Sequence, residues 1–503
     1  MHINIDGNLL TLEEFYNIVK KRASVFLSKE AEEKIIRARN TLEDFIKTGK
    51  AYYGVNTGFG ALASKRIESK DLKKLQRNLI KSHTAGVGPL LSDEIVRGTI
   101  LLRANVLAKG FSGVRLKVVQ LLLELLNRDI LPLIPSKGSV GASGDLAPLA
   151  HLATILLGEG EVKYNGKIQK TSDVFSETGL KPLELVEKEG LALINGTQVL
   201  TATAVMNLLE SESLIKIADI AGALTFEAQL GNISPFFEEI QNVRPHTGQL
   251  TTANNIMKLV SGSPLWESHQ GKRKVQDAYS IRCIPQVHGA VRDTLCFVRR
   301  TLETEVNSAT ENPLIFPDKG TILSGGNFHG EPVAFAMDYL SIAMTELGNI
   351  SERRIDRIIN PATNLDLPPF LIRDNGLNSG FMIAHVTATS LTSENRTLAH
   401  PASVDNIPTS ANQEDHVSMG NFAARKASEI IYNVKYILAI EILSALQALD
   451  FYEYKTSPVL ERIKNIVREK VPFLEEDERM DILFNDIVKM IDEKSFSGNI
   501  GLM

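Results

Sequence analysis

The segment Gly138-Ser139-Val140-Gly141-Ala142-Ser143-Gly144-Asp145-Leu146-Ala147-Pro148 is dense in small residues. Such a run builds neither a core nor a stable helix, but it lets the backbone bend tightly and approach itself. Its plain reading is a buried turn or a loop that cradles phosphate. Its chemical reading concerns Ala142, Ser143 and Gly144. If the Gly144 amide nitrogen is pressed onto the Ala142 carbonyl carbon, the chain can cyclise. Loss of two waters, one of them from the Ser143 side chain, then leaves a 4-methylidene-imidazol-5-one, an electrophile made from the protein itself. A side chain at 144 would hinder the attack, Ala142 keeps the site open, and Ser143 supplies the methylidene carbon.

That segment does not stand alone. Tyr53-Gly54-Val55-Asn56-Thr57-Gly58-Phe59-Gly60 and Ser82-His83-Thr84-Ala85-Gly86-Val87-Gly88 precede it. Gly190-Leu191-Ala192-Leu193-Ile194-Asn195-Gly196-Thr197-Gln198, Gln276-Asp277-Ala278-Tyr279-Ser280-Ile281-Arg282-Cys283, SGGNFHGEPVA at 324–334 and AHPASVDNIPTSANQEDHVSMG at 399–420 follow. In these ordered motifs, from about residue 50 to 420, the chain resembles the aromatic amino acid ammonia-lyase family. The resemblance implies elimination of ammonia from an aromatic amino acid, with the electrophile at 142–144 acting on the amine and a base removing the β-proton. It implies no external cofactor and no metal.

Residue by residue, the resemblance gives Tyr53 as the base. An unperturbed tyrosine has a pKa of about 10, so that role calls for nearby positive charge or hydrogen bonds. Taken alone, Tyr53 reads as a packed aromatic before a glycine turn. Tyr279 matches a second active-site tyrosine. Arg282 lies three residues on, on roughly the same face if the segment is helical, and its planar guanidinium suits a substrate carboxylate. Asn195 matches the residue that hydrogen-bonds the electrophile, and Phe328 an aromatic beside it. Gln276 and Gln413 match further polar members. Ser82-His83 resembles the histidine-specific form of a position that is typically apolar or His-Leu in relatives acting on phenylalanine or tyrosine. His83 can exchange a hydrogen bond with an imidazole, and Glu414 can accept from its N–H. The substrate this implies is L-histidine and the product trans-urocanate. The alternatives are a tyrosine or phenylalanine ammonia-lyase, or a 2,3-aminomutase using the same electrophile. Ala278 stands where proline is expected, His288 where methionine is, and Gly330 where alanine is.

Other readings fit less well. Gly58-Phe59-Gly60-Ala61-Leu62-Ala63 formally fits G-x-G-x-x-A, but AYYGVNT is a poor buried strand and no βαβ unit follows. There is no HExxH, and His329 with Glu331 makes a weak metal-ligand set. A noncatalytic helical scaffold is compatible with the composition but leaves Tyr53, Tyr279, Arg282 and the Ala-Ser-Gly segment without a purpose.

The elements that must position these residues are mostly helical. A short strand or hairpin is expected around Ile3 and Ile5, a capping box at Thr11 and Glu14, and a hairpin at Tyr164-Asn165-Gly166-Lys167. Residues 93–109 read as a helix with one apolar face, and 113–128 as a helix that begins after Ser112 and is apolar nearly all round. Long helices are expected over 197–230, 332–360 and 416–452, the kind found in bundles or subunit interfaces. Glycine and proline mark 54–60, 86–89, 132–148, 324–332 and 400–410 as irregular. The expected fold is mainly α: a long central helix bundle with a smaller mixed N-terminal part, split near 1–195 and 196–503, which the resemblance aligns with fumarase/aspartase-like architecture. It also implies a homotetramer with active sites shared between subunits. The 503 residues carry 55 basic against 60 acidic side chains and only two cysteines. That balance speaks against a nucleic-acid partner, and the cysteine count against a disulfide framework or a four-cysteine zinc site. No apolar run approaches the roughly 20 residues of a membrane span, and no signal peptide is recognisable at the start, so a cytoplasmic protein is expected.

Overall fold

The structure is a computed structural model that describes residues 2–269, 275–496 and 501–503. Several helices begin where the side chains say they should. Thr11 accepts from the Glu14 N–H while Glu14 returns to the Thr11 N–H, so the capping box opens the helix Leu12–Val19. Ser28, Ser92 and Ser457 likewise accept from the third residue beyond them and open Lys29–Lys47, Asp93–Ala108 and Pro458–Arg468. The longest helices are Gln198–Ala228, Ile284–Glu305, Glu331–Ile359 and Gly420–Leu449, of 31, 22, 29 and 30 residues. Three of them match expectation to within a few residues. Strands are few and short, and the mainly α architecture stands.

The chain divides into two compact units. The first comprises Met1–Met206, Arg299–Asp338 and Pro401–Arg425. In it, strand His2–Ile5 pairs in parallel with Ser24–Leu27, so it is not half of a hairpin. The Asn165-Gly166 turn does join an antiparallel pair, Glu161–Tyr164 with Lys167–Lys170, and both turn residues have positive φ. Residues 87–90 and 135–137, expected to be irregular, form a short antiparallel pair.

Helix Asp93–Ala108 has no solvent face beyond its first turn, since every residue from Val96 to Ala108 is buried. The reason is partly Gly98: a Cβ there would lie 2.6 Å from Phe15 Cζ and 3.1 Å from the Ala202 Cβ, so neighbours close in on both sides. The polar side chains this buries find partners, apart from the Arg103 Nε. Arg97 donates to the carbonyls of Ile18, Val19 and Leu126 and pairs with Asp129. The next helix starts at Leu116 rather than after Ser112. Gly113 has φ +69° and packs where a Cβ would meet Ile315 Cδ1 at 2.3 Å, so it cannot join the helix.

The second unit comprises Asn207–Val298, Tyr339–His400 and Lys426–Met503. Segments of the four longest helices meet there around buried Glu441. Its carboxylate accepts from Thr225 Oγ1 at 2.8 Å, Ser351 Oγ at 2.6 Å, and Arg354 Nε and Nη2 at 2.5 and 2.9 Å. His288 extends this network. Its Nδ1 is 2.9 Å from Asp219 Oδ1 and its Nε2 is 3.3 Å from Arg354 Nη1. The Nδ1–H donates to the Asp219 carboxylate and Nε2 accepts from the guanidinium, so the ring is neutral, and burial lowers its pKa. A methionine could not make this link, which accounts for histidine at 288. Among the described residues, no helix is long and apolar enough to cross a membrane.

Candidate active site

Residues 138–145 bend around the Ala-Ser-Gly tripeptide and lead into the helix Leu146–Leu156. Gly141 and Gly144 have φ of +73° and +72°, the left-handed region that favours glycine. Gly144 also abuts a second chain segment, forming a parallel bridge with Gly196. A Cβ at 144 would lie 2.1 Å from the Gly196 carbonyl oxygen. The Asp145 N–H donates to that oxygen at 2.8 Å, and the Gly196 N–H donates to the Ser143 carbonyl at 3.3 Å. Asn195 Nδ2 donates to the same Ser143 carbonyl at 3.1 Å. The Ser143 oxygen therefore faces two N–H donors, an arrangement suited to holding negative charge.

Asn195 is itself held from behind. Its Oδ1 accepts from the Asn312 N–H at 2.7 Å. Its main-chain carbonyl accepts from both terminal nitrogens of Arg103 at 3.1 Å, and Arg103 donates again to the Ala192 carbonyl at 2.8 Å. Arg103 is fully buried, and desolvation brings its pKa down to about 10. Asp145 is also fully buried, and desolvation raises its carboxyl to about 6. Its Oδ2 accepts from the Leu200 N–H in the first turn of Gln198–Ala228, and its Oδ1 from Asn421 Nδ2. One carboxylate thus ends the loop and caps the helix that follows Asn195.

A cavity of about 900 Å³ in the first unit is lined by Tyr53, His83, Ala142, Ser143, Asn195, Phe328, Gln413 and Glu414. Gly144 lies directly behind Ser143 on the Gly196 side. The cavity gathers the expected residues of this unit from sequence separations of up to several hundred. Tyr53 sits in a turn set by Asn56, whose Oδ1 accepts from the Tyr52 N–H and whose Nδ2 donates to the Lys50 carbonyl. The Gly60 N–H donates to the Tyr53 hydroxyl oxygen at 3.3 Å, leaving the phenol proton for another partner.

His83 ends the helix Leu72–His83. Its Nδ1 is 2.9 Å from the Leu79 carbonyl, which can only accept, so Nδ1 carries the proton. Ser82 Oγ lies 3.0 Å from the same nitrogen. Burial lowers the His83 pKa, against the opposing pull of the Leu79 carbonyl and Glu414, so the ring is neutral with Nε2 as an acceptor. Glu414 accepts from Ser143 Oγ at 2.8 Å through Oε1 and from Thr409 Oγ1 at 2.6 Å through Oε2. It lies in a strained loop: Ser410, Ala411 and Asn412 all have φ between 52° and 65°. Gln413, next in that loop, is exposed.

Gln276, Tyr279 and Arg282 lie in the second unit and line a separate cavity there. The Arg282 guanidinium stacks over the Tyr279 ring, 4.6 Å from its centroid, and its Nη1 bonds Gln276 Oε1. Tyr279 is 71% exposed. Ala278 precedes it with φ −64°, a value proline would also hold. Gly330 lies against the loop, where a Cβ would be 2.9 Å from Ser418 Oγ and 3.0 Å from Leu200 Cδ2. His416 joins His329 and Glu331 to bring three potential ligand groups within 4.8 Å of one another. The His329 ring is already engaged by main chain, with the Glu331 N–H at 3.4 Å on Nδ1 and the His416 carbonyl at 3.3 Å on Nε2.

A model of the family described as aromatic amino acid lyase matches residues 10–469. The chain belongs to the aromatic amino acid lyase family. It is 52% identical over 489 residues to the histidine ammonia-lyase of Caldanaerobacter subterraneus subsp. tengcongensis, covering 96% of each chain. Among solved structures it resembles histidine ammonia-lyase from Trypanosoma cruzi, with a TM-score of 0.92 and 43% identity over 99% of this chain and 95% of that one. It also resembles tyrosine aminomutase from Streptomyces globisporus, with a TM-score of 0.93 and 40% identity over 99% and 98%. Solved relatives thus include both an ammonia-lyase and an aminomutase, which act on different amino acids.

Sequence reasoning missed Arg103, Asn312 and Thr409, which hold Asn195 and Glu414 in place. Arg103 and Asn312 lie outside the quoted motifs, and Thr409 lies within the 399–420 stretch without a role of its own there.

Proposed function

We propose that this protein is a histidine ammonia-lyase that converts L-histidine to trans-urocanate and ammonia, a carbon–nitrogen lyase of histidine degradation. The observation that carries the substrate assignment is the fixed tautomer of His83, which presents Nε2 as an acceptor in the same cavity as Ser143 and Glu414. An imidazole N–H can satisfy that acceptor, whereas a phenyl ring would leave it buried without a partner.

The residues at 142–144 suit the 4-methylidene-imidazol-5-one: glycines turn the chain on both sides, and Gly144 has no Cβ to collide with Gly196. Once formed from Ala142, Ser143 and Gly144, that group supplies an electrophilic carbon that makes the substrate amine a better leaving group. Asn195 Nδ2 and the Gly196 N–H hold the carbonyl oxygen of residue 143, and Arg103 and Asn312 hold Asn195. His83 accepts the imidazole N–H, and Glu414 offers a second acceptor to the ring. Tyr53 takes the β-proton as the phenolate, with the Gly60 N–H donating to its oxygen. Phe328 and Gln413 close the wall around the ring and the electrophile.

Arg282 binds the substrate carboxylate, with Tyr279 and Gln276 beside it, and in our reading these three reach the cavity from another copy of the chain in a homotetramer. The exposed Tyr279 ring supports this. So does an apolar cavity of about 650 Å³ in the second unit, lined by Val287, Ala290, Val291, Phe297, Tyr339 and Ile342, which suits burial against further chain. The two cysteines are unpaired, which suits a cytoplasmic setting.

The test is an ultraviolet assay of the purified protein with L-histidine, L-tyrosine and L-phenylalanine. Urocanate and free ammonia from histidine are expected. Coumarate or cinnamate without urocanate would refute the substrate assignment, and a β-amino acid product would make the protein an aminomutase. Ser143→Ala is expected to abolish turnover while leaving the fold intact.

A further inference from the structure

We infer that Ser139 is a positioning residue that clamps the loop for its own cyclisation. The inference rests on the proposed formation of the electrophile from residues 142–144. Ser139 Oγ accepts from the Gly141 N–H at 3.2 Å and donates to the Gly144 carbonyl at 3.1 Å. A single hydroxyl thereby ties the residue before Ala142 to the residue whose nitrogen must reach the Ala142 carbonyl carbon. The hydroxyl also lies near the Asp145 carboxyl, which competes with the Gly144 carbonyl for its one hydrogen.

The rest of the loop is anchored on either side of this clamp. On the entry side the Met419 N–H donates to the Val140 carbonyl at 2.9 Å and Ser418 Oγ to the Gly141 carbonyl at 3.1 Å. On the exit side the Asp145 N–H is held by Gly196. Neither anchor spans the reacting tripeptide. Ser139 alone does so from within the loop, and ring closure within a chain depends on how often its ends are held in a reactive geometry.

The atom balance shows that the clamp survives the reaction. Gly144 N bonds to the Ala142 carbonyl carbon. The first water takes the Ala142 oxygen with the two amide hydrogens of Ser143 and Gly144, leaving a double bond from the Ala142 carbon to Ser143 N. The second takes Ser143 Oγ with its hydrogen and the Ser143 Cα hydrogen, leaving the methylidene. No oxidant or reductant enters. The Gly141 N–H and the Gly144 carbonyl, the two partners of Ser139, lose no atoms.

The test follows maturation rather than turnover. The full chain is synthesised in a cell-free system, and at set times the proteolytic peptide containing residues 142–144 is weighed. In the native sequence it becomes lighter by two waters. Ser139→Ala is expected to slow that loss by roughly one to two orders of magnitude, the factor two neutral hydrogen bonds carry. Ser139→Thr, which keeps the hydroxyl, is expected to restore most of the rate. Thermal melts of each variant show that folding is retained. Maturation of a folded Ser139→Ala at the native rate overturns the clamp, as does a folded Ser139→Thr as slow as Ser139→Ala. If the native peptide never loses two waters, the proposed electrophile fails, and the clamp with it.

Discussion

Asn195 offers a sharp test of how the site works, because its two side-chain atoms have separate duties. Oδ1 accepts from the Asn312 N–H and Nδ2 donates to the Ser143 carbonyl. Asn195→Asp keeps the size and the first contact but turns an acceptor toward the Ser143 oxygen. Removing one donor of an oxyanion-hole pair raises the barrier by about 2.7–4 kcal/mol, a loss of about 10²–10³ in kcat. The Gly196 N–H remains on that oxygen at 3.3 Å, so activity should fall that far and not vanish. Protonating the introduced carboxyl restores a donor, so the deficit should shrink as pH falls. Asn195→Ala removes both contacts and leaves the Asn312 N–H buried without a partner, which costs a further 1–3 kcal/mol or so of stability. Steady-state urocanate formation and thermal melts measure the two effects. A kcat for Asn195→Asp within about threefold of the native value would refute the donor role. Equal melting of the Asp and Ala variants would refute the division of labour.

Gly144→Ala should be destabilised and mature poorly. The left-handed φ costs roughly 1–2 kcal/mol for alanine, and the 2.1 Å approach to the Gly196 oxygen forces a backbone shift worth about 1–3 kcal/mol more. A native melting temperature with native peptide mass would contradict this. Asp145 binds its proton more tightly folded, at about 6, than its ordinary 3.8. The folded state therefore holds more protons between those values, and stability falls as pH rises through that window, by roughly 3 kcal/mol at most. Relative to Asp145→Asn, the native protein should lose stability from pH 3.8 to about 6 and stay level above it. A flat difference in denaturant unfolding across that window would rule this out. Ala278→Pro should raise stability by about 0.4–1 kcal/mol, since φ is already −64° and proline restricts mainly the unfolded chain. A lower thermal midpoint would show that the loop needs a conformation proline forbids.

Much of the candidate site was legible because the chemistry proposed for it demands unusual composition. The 138–148 run has few uses other than tight backbone geometry, and Tyr53, His83, Asn195, Phe328 and Glu414 do meet it in one cavity. Arg103 was not legible: it sits mid-helix among apolar neighbours, and only folding brings it to the Asn195 carbonyl, 92 residues away. The His83 tautomer is likewise set by a main-chain carbonyl, whose position no residue type announces. Among the elements, the long helices follow from uninterrupted helical sequence. The start of Leu116–Asn127 does not, because apolar periodicity around Gly113 conceals a positive φ needed for contact with Ile315. The parallel pairing of His2–Ile5 depends on a strand 22 residues on, from His2 to Ser24, beyond any local turn signal.

The bridge between Gly144 and Gly196 gives the proposed chemistry a history. In the structure the tripeptide is held against residue 196 and the start of the helix behind it, so on this reading water loss would report that this part of the chain has folded. Unfolding would not reverse it. Each molecule would then carry a covalent memory of its first folding, and a denatured mature chain would differ from a newly made one of identical sequence. Refolding experiments would measure the descendant and never the nascent species, whose stability is the one that governs whether the electrophile forms at all.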